Sequence, residues 1–208
     1  MEDVNNIDSG VQPAMWPWEH ALFGYVVYSV VCHAHYRDAP GKYETAVVLI
    51  ASVLPDVVDK TLAWQFDVFH SGYALAHSIF IAAPLAIVVG LSAREYGRPA
   101  LGLAFAIGYP LHLVGDVIPS YISSGEWTIS HLLWPVVVIE GRDHGGLLEG
   151  FRHNFGPYLA EVLALEPTPY LLVQVGIALT AVGLWIVDGW PGCRLVVRWN
   201  RLLYERLS

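Results

Sequence analysis

The segment PALGLAFAIGYPLHLVGDV, residues 99–117, decides the fold class, because its single formally charged residue is Asp116. An apolar run of about 20 residues is long enough to cross a bilayer as a helix. We therefore predict a transmembrane helix here. Of the 208 residues, 55% are hydrophobic and 14% are charged, whereas soluble domains carry roughly 25% charged residues. The composition favours a membrane protein.

Four further apolar segments predict helices that cross the bilayer. They cover residues 20–36, 43–58, 74–91 and 170–187, and the segment 43–58 has the weakest pattern. The stretch 132–139 is also apolar but too short to cross, so we expect a re-entrant or interfacial segment there. The sequence therefore predicts an all-α protein, a polytopic bundle of about five transmembrane helices.

Both ends of the chain are predicted to lie outside a membrane-embedded domain formed by residues 18–190. Residues 1–17 contain three acidic residues and neither lysine nor arginine, which indicates a short, acidic, disordered leader. Residues 191–208 place leucine, valine and tryptophan at helical spacing opposite four arginines. This pattern predicts an amphipathic helix on the inner leaflet. A basic flank of the last span with no further role is the alternative.

Lysine and arginine residues in the connections set the orientation, because they accumulate on the cytoplasmic side of a membrane. With the N-terminus outside, eight of the 11 cations fall inside the cell, and Lys60, Arg142 and Arg152 fall outside. We expect the N-terminus outside and the C-terminus in the cytoplasm. The net charge of −8 argues against a nucleic-acid partner.

Histidine and aspartate residues gather at one level of the predicted bundle. His20 opens the first span, Asp56 closes the second, His77 lies at the start of the third, and His112 and Asp116 close the fourth. In the predicted topology these positions all lie near the outer face. Ionisable groups in membrane spans are costly and usually functional. Imidazole and carboxylate together suit zinc, with manganese or iron as alternatives, so we predict a divalent metal site.

Helical spacing supports some of these assignments more than others. His112 and Asp116 are four residues apart and share a helix face, although a hydrogen-bonded pair without metal would show the same spacing. His70 and His77 are seven residues apart, about two turns if the segment is helical throughout. One of these two would bind metal and the other would orient a ligand or the substrate, and spacing does not choose between them.

The remaining polar residues receive weaker assignments. We expect Asp59 and Lys60 to be solvated at a helix end, and His33 and His35 to be bystanders at the opposite face. For His20, the alternative to a metal ligand is an interfacial histidine beside a solvated Glu19. The long outer segment could complete a second metal site with His131, His144, His153, Asp143, Glu140 or Glu149.

In their order, these motifs resemble the family of membrane-bound metal-dependent hydrolases of the LexA-regulated inner-membrane type. The matching elements are His20, Leu54-Pro55-Asp56, His70-Ser71-Gly72 with His77-Ser78, His112 with Asp116, and Leu132-Leu133-Trp134-Pro135. The resemblance covers roughly residues 16–136. It implies a metal-dependent hydrolase and adds His20 to the ligands. The resulting set of metal ligands is His20, Asp56, His70, His77, His112 and Asp116, with Asp56, His77, His112 and Asp116 as catalytic residues.

The order of these ligands is also similar, more distantly, to that of zinc-dependent phospholipase C and the single-strand-specific zinc nucleases. This similarity implies phosphoester hydrolysis by a metal-activated water. We therefore expect hydrolysis of an ester, most simply the phosphoester of a membrane lipid, at the outer interface. The alternatives are a non-enzymatic scaffold that keeps a structural metal, and an ion-coupled transporter. A transporter's relay of polar groups should reach across the bilayer, whereas these residues stop near one face.

Overall fold

A computed structural model describes residues 15–141, 145–164 and 167–192, and within these ranges the chain forms six α-helices and no strand. The helices are α1 (Pro17–Val31), α2 (Lys42–Lys60), α3 (Ile79–Glu95), α4 (Pro99–Ser124), α5 (Leu147–Ala164) and α6 (Pro169–Val187). A π-helical turn extends α1 over Cys32–Tyr36, another extends α2 over Thr61–Gln65, and a short 3-10 turn covers Ser130–Leu132. The all-α prediction is confirmed.

Two helices of the described ranges, α4 and α6, are long and apolar enough to cross a membrane. The prediction of five spans is therefore not confirmed. α1 has 15 residues and α3 has 17, fewer than the about 20 that a span needs. α3 begins at Ile79 because residues 74–78 form turns and not the predicted first helical turn. α2 has 19 residues but carries charged side chains near both ends.

α5 lies in the long outer segment, for which the sequence pattern predicts no helix. Its sequence contains Gly150, Gly156 and Pro157, residues that weaken a helical pattern. The helix packs through Phe151 and Phe155 against Trp16, with ring centroids 5.7 Å and 5.5 Å away. Tertiary packing of aromatic rings thus supports a helix that local propensity does not predict.

Helix α4 lies at the centre of the bundle and contacts α1, α2, α3 and α6. Small residues let these helices approach closely, as is common in membrane proteins. A Cβ atom added to Gly108 of α4 would lie 2.7 Å from the carbonyl oxygen of Val48 in α2. One added to Gly24 of α1 would overlap the Ser52 hydroxyl of α2. This close packing holds three helices at the separation that the site below requires.

Helix α6 runs parallel to α1 and is attached to it near both ends. At the start, the Tyr170 hydroxyl donates to Glu19 Oε2 over 3.2 Å. At the end, Asp188 Oδ2 accepts hydrogen bonds from the hydroxyls of Tyr25 (2.6 Å) and Ser29 (2.7 Å), and Asp188 Oδ1 lies 2.6 Å from His33 Nε2. His33, predicted to be a bystander, therefore stabilises this helix pair.

Burial acts to raise the pKa of Asp188. The hydrogen bonds from Tyr25, His33 and Ser29 outweigh that effect, so the pKa of this carboxyl lies below its usual range. The ionised carboxylate is thus the form that stabilises the contact between α1 and α6.

The two predicted terminal segments lie mostly outside the described residues, which begin at Met15 and end at Gly192. Within the predicted leader, Met15 is buried and Trp16 precedes the first turn of α1. The predicted C-terminal amphipathic helix lies outside the described residues.

We expect Gly108→Val to lower the free energy of unfolding by about 1–3 kcal/mol, because the new side chain would press against the backbone of α2. Thermal unfolding in detergent measures the loss. Gly176→Val is the matched control, since a Cβ on Gly176 meets no described atom within 4 Å. Equal melting temperatures for the two variants would contradict the close packing of α2 and α4.

We expect Asp188→Asn to cost roughly 1 kcal/mol at neutral pH, because an amide accepts the same donors more weakly than a carboxylate. Since folding lowers the pKa of Asp188, its contribution is complete above the ordinary carboxyl pKa of about 4 and is lost progressively as pH falls through the lower pKa of the folded state. The stability difference between wild type and variant should shrink accordingly in acid. Asp38→Asn, at an exposed position, is the control, and a difference that persists unchanged in acid would contradict the assignment.

Candidate metal centre

Five predicted site residues from α1, α2, α4 and the turn before α3 converge on one buried pocket. His20 lies at the start of α1, Asp56 near the end of α2, His77 just before α3, and His112 and Asp116 in the second half of α4. Their exposed fractions are 1% (His20), 3% (Asp56), 0% (His77), 1% (His112) and 7% (Asp116). The starts of α1 and α3 and the later parts of α2 and α4 therefore lie at the same level of the bundle.

The ligand atoms of these residues face a common centre. The Nε2 atoms of His77 and His112 lie 3.0 Å apart. Asp116 Oδ2 lies 3.4 Å from both of these Nε2 atoms. Asp56 Oδ1 lies 3.5 Å from Nε2 of His77 and 3.7 Å from Nε2 of His112. His20 Nε2 lies 3.2 Å from Asp116 Oδ1. The ring of His20 also stacks on that of His112, with centroids 3.7 Å apart.

Two groups of three residues have the spacing to hold a metal ion. One contains His20, His112 and Asp116, and the other contains Asp56, His77 and His112, with the ligand atoms of each group within 4.8 Å of one another. His112 belongs to both groups. The pocket can therefore hold one ion among all five side chains, or a pair of ions bridged by shared ligands.

Hydrogen bonds on the far side of two rings fix their tautomers. His77 Nδ1 lies 2.8 Å from Asp59 Oδ2, and His112 Nδ1 lies 2.7 Å from the carbonyl oxygen of Ser52. A carboxylate and a carbonyl only accept, so each Nδ1 carries the proton. If both rings are neutral, the two Nε2 atoms direct lone pairs at each other across 3.0 Å. A cation between them, or protonation of one ring, removes this repulsion.

Unsatisfied polar atoms also point to a cation. Both ring nitrogens of His20, Oδ2 of Asp56 and Oδ2 of Asp116 are buried without a hydrogen bond. Buried polar atoms normally have a partner. Coordination to a metal would satisfy all three side chains, and their nitrogen and oxygen donors are those that zinc, manganese and iron accept.

The charges of the pocket leave a deficit that a divalent cation would balance. Asp56, Asp59 and Asp116 contribute three negative charges, and Lys60 contributes one positive charge through its Nζ, 2.5 Å from Asp56 Oδ1. With neutral histidines, the net charge is two negative. Buried charge without compensation is strongly unfavourable, so a doubly charged metal fits this pocket.

Asp59 and Lys60 correct the prediction that both are solvated. Asp59 is fully buried and accepts hydrogen bonds from the backbone N–H groups of Ala74, Ala76 and His77, over 2.9–3.0 Å. Its carboxylate therefore fixes the turn that carries His77 as well as the ring of that histidine. The Lys60 side chain is 19% exposed. α2 does not end in water here, because the π-helical turn continues it beneath the following loop.

His70 is not brought into the pocket, contrary to its prediction as a ligand. It is exposed and lines a surface cleft of about 250 Å³ together with Phe69, Ser71, Tyr73 and Trp134. The predicted shared face of His70 and His77 required a helix, whereas residues 67–78 are not helical and residues 69–77 form bends and turns. His77 is thus the histidine of this pair that faces the other site residues.

Among the candidates of the outer segment that the structure describes, His131 lies beside the centre. Its ring centroid is 5.3 Å from that of Tyr73, whose own centroid is 4.9 Å from that of His77. Burial lowers the pKa of His131, and its Nε2 is buried without a hydrogen bond. Glu140, Glu149 and His153 are exposed, and Asp143 and His144 lie outside the described residues.

Glu19 is buried beside His20 and is not solvated. Its carboxylate accepts hydrogen bonds from the Trp16 backbone N–H (2.8 Å) and from the Tyr158 and Tyr170 hydroxyls (3.3 Å and 3.2 Å). These bonds join the start of α1 to α5 and α6. They also hold the turn that presents His20 to the centre.

Fold and site together define an all-helical membrane protein with a buried cluster of histidines and aspartates. A family model described as YdjM inner membrane protein matches residues 15–189. The chain belongs to this family, and its membrane localisation is therefore confirmed. The matched range contains all five residues of the cluster. No curated protein and no solved structure matches the chain.

We expect Asp59→Asn to weaken zinc binding by about 10- to 100-fold, because metal-bound histidines depend on the acceptor that orients them. An amide has one accepting oxygen and cannot receive all four N–H groups that Asp59 receives. Competition with a chromogenic chelator in detergent measures the affinity. Asp67→Asn, at an exposed position, is the control. Unchanged affinity in Asp59→Asn would contradict the orienting role.

Proposed function

We propose that this chain is a membrane-bound metal-dependent hydrolase of ester bonds, with His20, Asp56, His77, His112 and Asp116 as the metal ligands. The observation that carries the proposal is the pair of Nε2 atoms that face each other across 3.0 Å. Both rings have their protons fixed on the opposite nitrogen, and the surrounding pocket has a net charge of two negative. Zinc is the first choice for this donor set, with manganese and iron as alternatives.

The chain's own residues would each have a defined task in such an enzyme. When bound, a divalent metal lowers the pKa of water and polarises the ester oxygen. Asp59 and the Ser52 carbonyl hold the two imidazoles in the correct tautomer. Asp116 contacts His77, His112 and His20, so it links both groups of candidate ligands. No side chain of the cluster stands apart as a separate general base.

A phosphoester of a membrane lipid at the outer interface is the substrate class that we propose. Membership of a membrane protein family supports access to lipid. The surface cleft beside the centre is lined by apolar side chains, among them Phe69, Trp134, Val138 and Ile139. Tyr73 lines this cleft and contacts the His77 ring. Because His70 and Ser71 also line it, the cleft offers a mixed apolar and polar approach that ends beside the polar centre.

A non-enzymatic scaffold with a structural metal is the second candidate, and the deep burial of the ligands favours it. Structural zinc sites are closed, whereas catalytic sites keep a position open for water or substrate. All five side chains are less than 8% exposed. The two candidates differ in what removal of the metal does to the protein.

Elemental analysis of the detergent-purified chain tests the metal site. We expect at least one equivalent of a divalent metal in the wild type and a large loss in His112→Ala, because His112 belongs to both ligand groups. His35→Ala, at an exposed position outside the cluster, should retain the wild-type content. A metal-free wild type, after expression with zinc, manganese and iron supplied, would refute the proposal.

Turnover by Asp116→Asn separates the enzyme from the scaffold. An enzyme would lose hydrolysis of nitrophenyl phosphoesters or phosphatidic acid, by a factor of about 100 or more if preorganised charge in the site is removed, while its melting temperature stays near that of the wild type. A structural site would show no turnover in the wild type, and the variant would lose thermal stability. The second result would replace the hydrolase with the scaffold.

A further inference from the structure

Lys60 is one of two lysines in the chain, and its position is unusual for a residue beside a metal site. Its Nζ lies 2.5 Å from Oδ1 of Asp56, a proposed ligand, and the side chain is 19% exposed. An ammonium so close to the site repels a metal and competes for the same carboxylate oxygen. The pocket therefore carries a cation that metal binding alone does not need.

The stem of Lys60 is held in place by the loop that lines the surface cleft. A Cβ added to Gly72 would lie 2.9 Å from Cγ of Lys60. Gly72 lies between Ser71 and Tyr73, both of which line the cleft. The ammonium also lies 5.9 Å from the centroid of the Trp64 ring, within the range of a cation–π contact. The positive charge is thus fixed between the cleft loop and the metal centre.

The hydrogen-bonding capacity of the ammonium indicates what this cation is for. A divalent metal would occupy the Asp56 oxygen that Lys60 contacts. The ammonium has three N–H donors and no acceptor, so it would then need another negative partner. Lysine is a common ligand of phosphate groups in proteins. An anionic substrate group arriving from the cleft would supply that partner.

We propose that Lys60 binds the phosphoryl group of the substrate in the metal-loaded site and makes the site selective for phosphoesters over neutral carboxylic esters. This inference rests on the proposed function. Lys60 acts as a substrate-binding residue, and its charge is the feature that recognises the phosphoryl oxygens. The same chemistry fits a lipid headgroup and a free phosphate.

The experiment measures metal content and phosphate binding separately on the full chain in phosphatidylcholine nanodiscs. Inorganic phosphate is the probe, followed by ³¹P NMR or calorimetry after excess metal has been removed. In Lys60→Met we expect the metal to be retained and phosphate binding to weaken roughly tenfold or more, the usual effect of losing one charge-assisted hydrogen bond. Lys42→Met is the matched control, because the other lysine is exposed at the opposite end of α2.

Two further variants keep the test decisive if Lys60→Met folds poorly. Gly72→Ala leaves the charge in place but displaces the Lys60 stem, so phosphate binding should weaken with the metal content unchanged. Lys60→Arg retains a cation and should keep most of the binding. Phosphate affinity in Lys60→Met or Gly72→Ala equal to that of the wild type would overturn the inference. Loss of metal from Lys60→Met would also overturn it, because it would make Lys60 part of the support for the metal site.

Failure of the proposed function gives a different result, since the wild type itself would then hold no metal before any phosphate is added. A second arm distinguishes the two sources of phosphate by using nanodiscs that contain phosphatidic acid. Binding of inorganic phosphate that depends on Lys60 supports a soluble anion. Binding of phosphatidic acid alone, with the same dependence, supports a lipid headgroup. Absence of both from a metal-loaded wild type overturns the inference.

Discussion

The approach of two histidine nitrogens is the constraint on which the rest of this structure depends. His77 and His112 come from different segments, and their Nε2 atoms face each other across 3.0 Å. This arrangement is stable only if a cation lies between them or if one ring is protonated. The buried acceptors behind the rings, Asp59 and the Ser52 carbonyl, keep the protons on the far nitrogens. The centre is therefore suited to hold a positive charge. The surrounding helices fix the positions of the side chains that would hold it.

The sequence predicts the members of the centre well where a regular helix carries them. His112 and Asp116 share a helix face through their four-residue spacing, and the ends of neighbouring helices add His20 and Asp56. His70 lies outside the pocket because its predicted shared face with His77 required a helix, and this segment is not helical. The solvation predicted for Asp59 was wrong because no local pattern shows that its carboxylate accepts hydrogen bonds from the backbone N–H groups of Ala74, Ala76 and His77. Such contacts depend on tertiary folding and leave no periodic signal.

The same residues explain why the number of spans is harder to predict than the fold class. α2 carries Asp56, Asp59 and Lys60 in its last two turns, and the segment before α3 carries His77. A helix in which several residues belong to a polar site has a shorter apolar stretch with which to cross a bilayer. Apolar length is thus clearest in α6, which carries no residue of the centre. Apolar composition alone identifies a membrane protein. A criterion of apolar length does not select α1 and α2, although both carry residues of the centre.

The attachment of α6 to α1 has a mechanical consequence for the centre. Tyr170 holds Glu19 at one end of the pair, and Asp188 holds Tyr25, Ser29 and His33 at the other. Two anchors separated by a helix length prevent the helices from sliding or rotating independently. Because His20 follows Glu19 directly, the hydrogen bonds that fix α6 against α1 also fix the backbone that carries His20. The orientation of one residue of the centre therefore depends on a helix that contributes no residue to it.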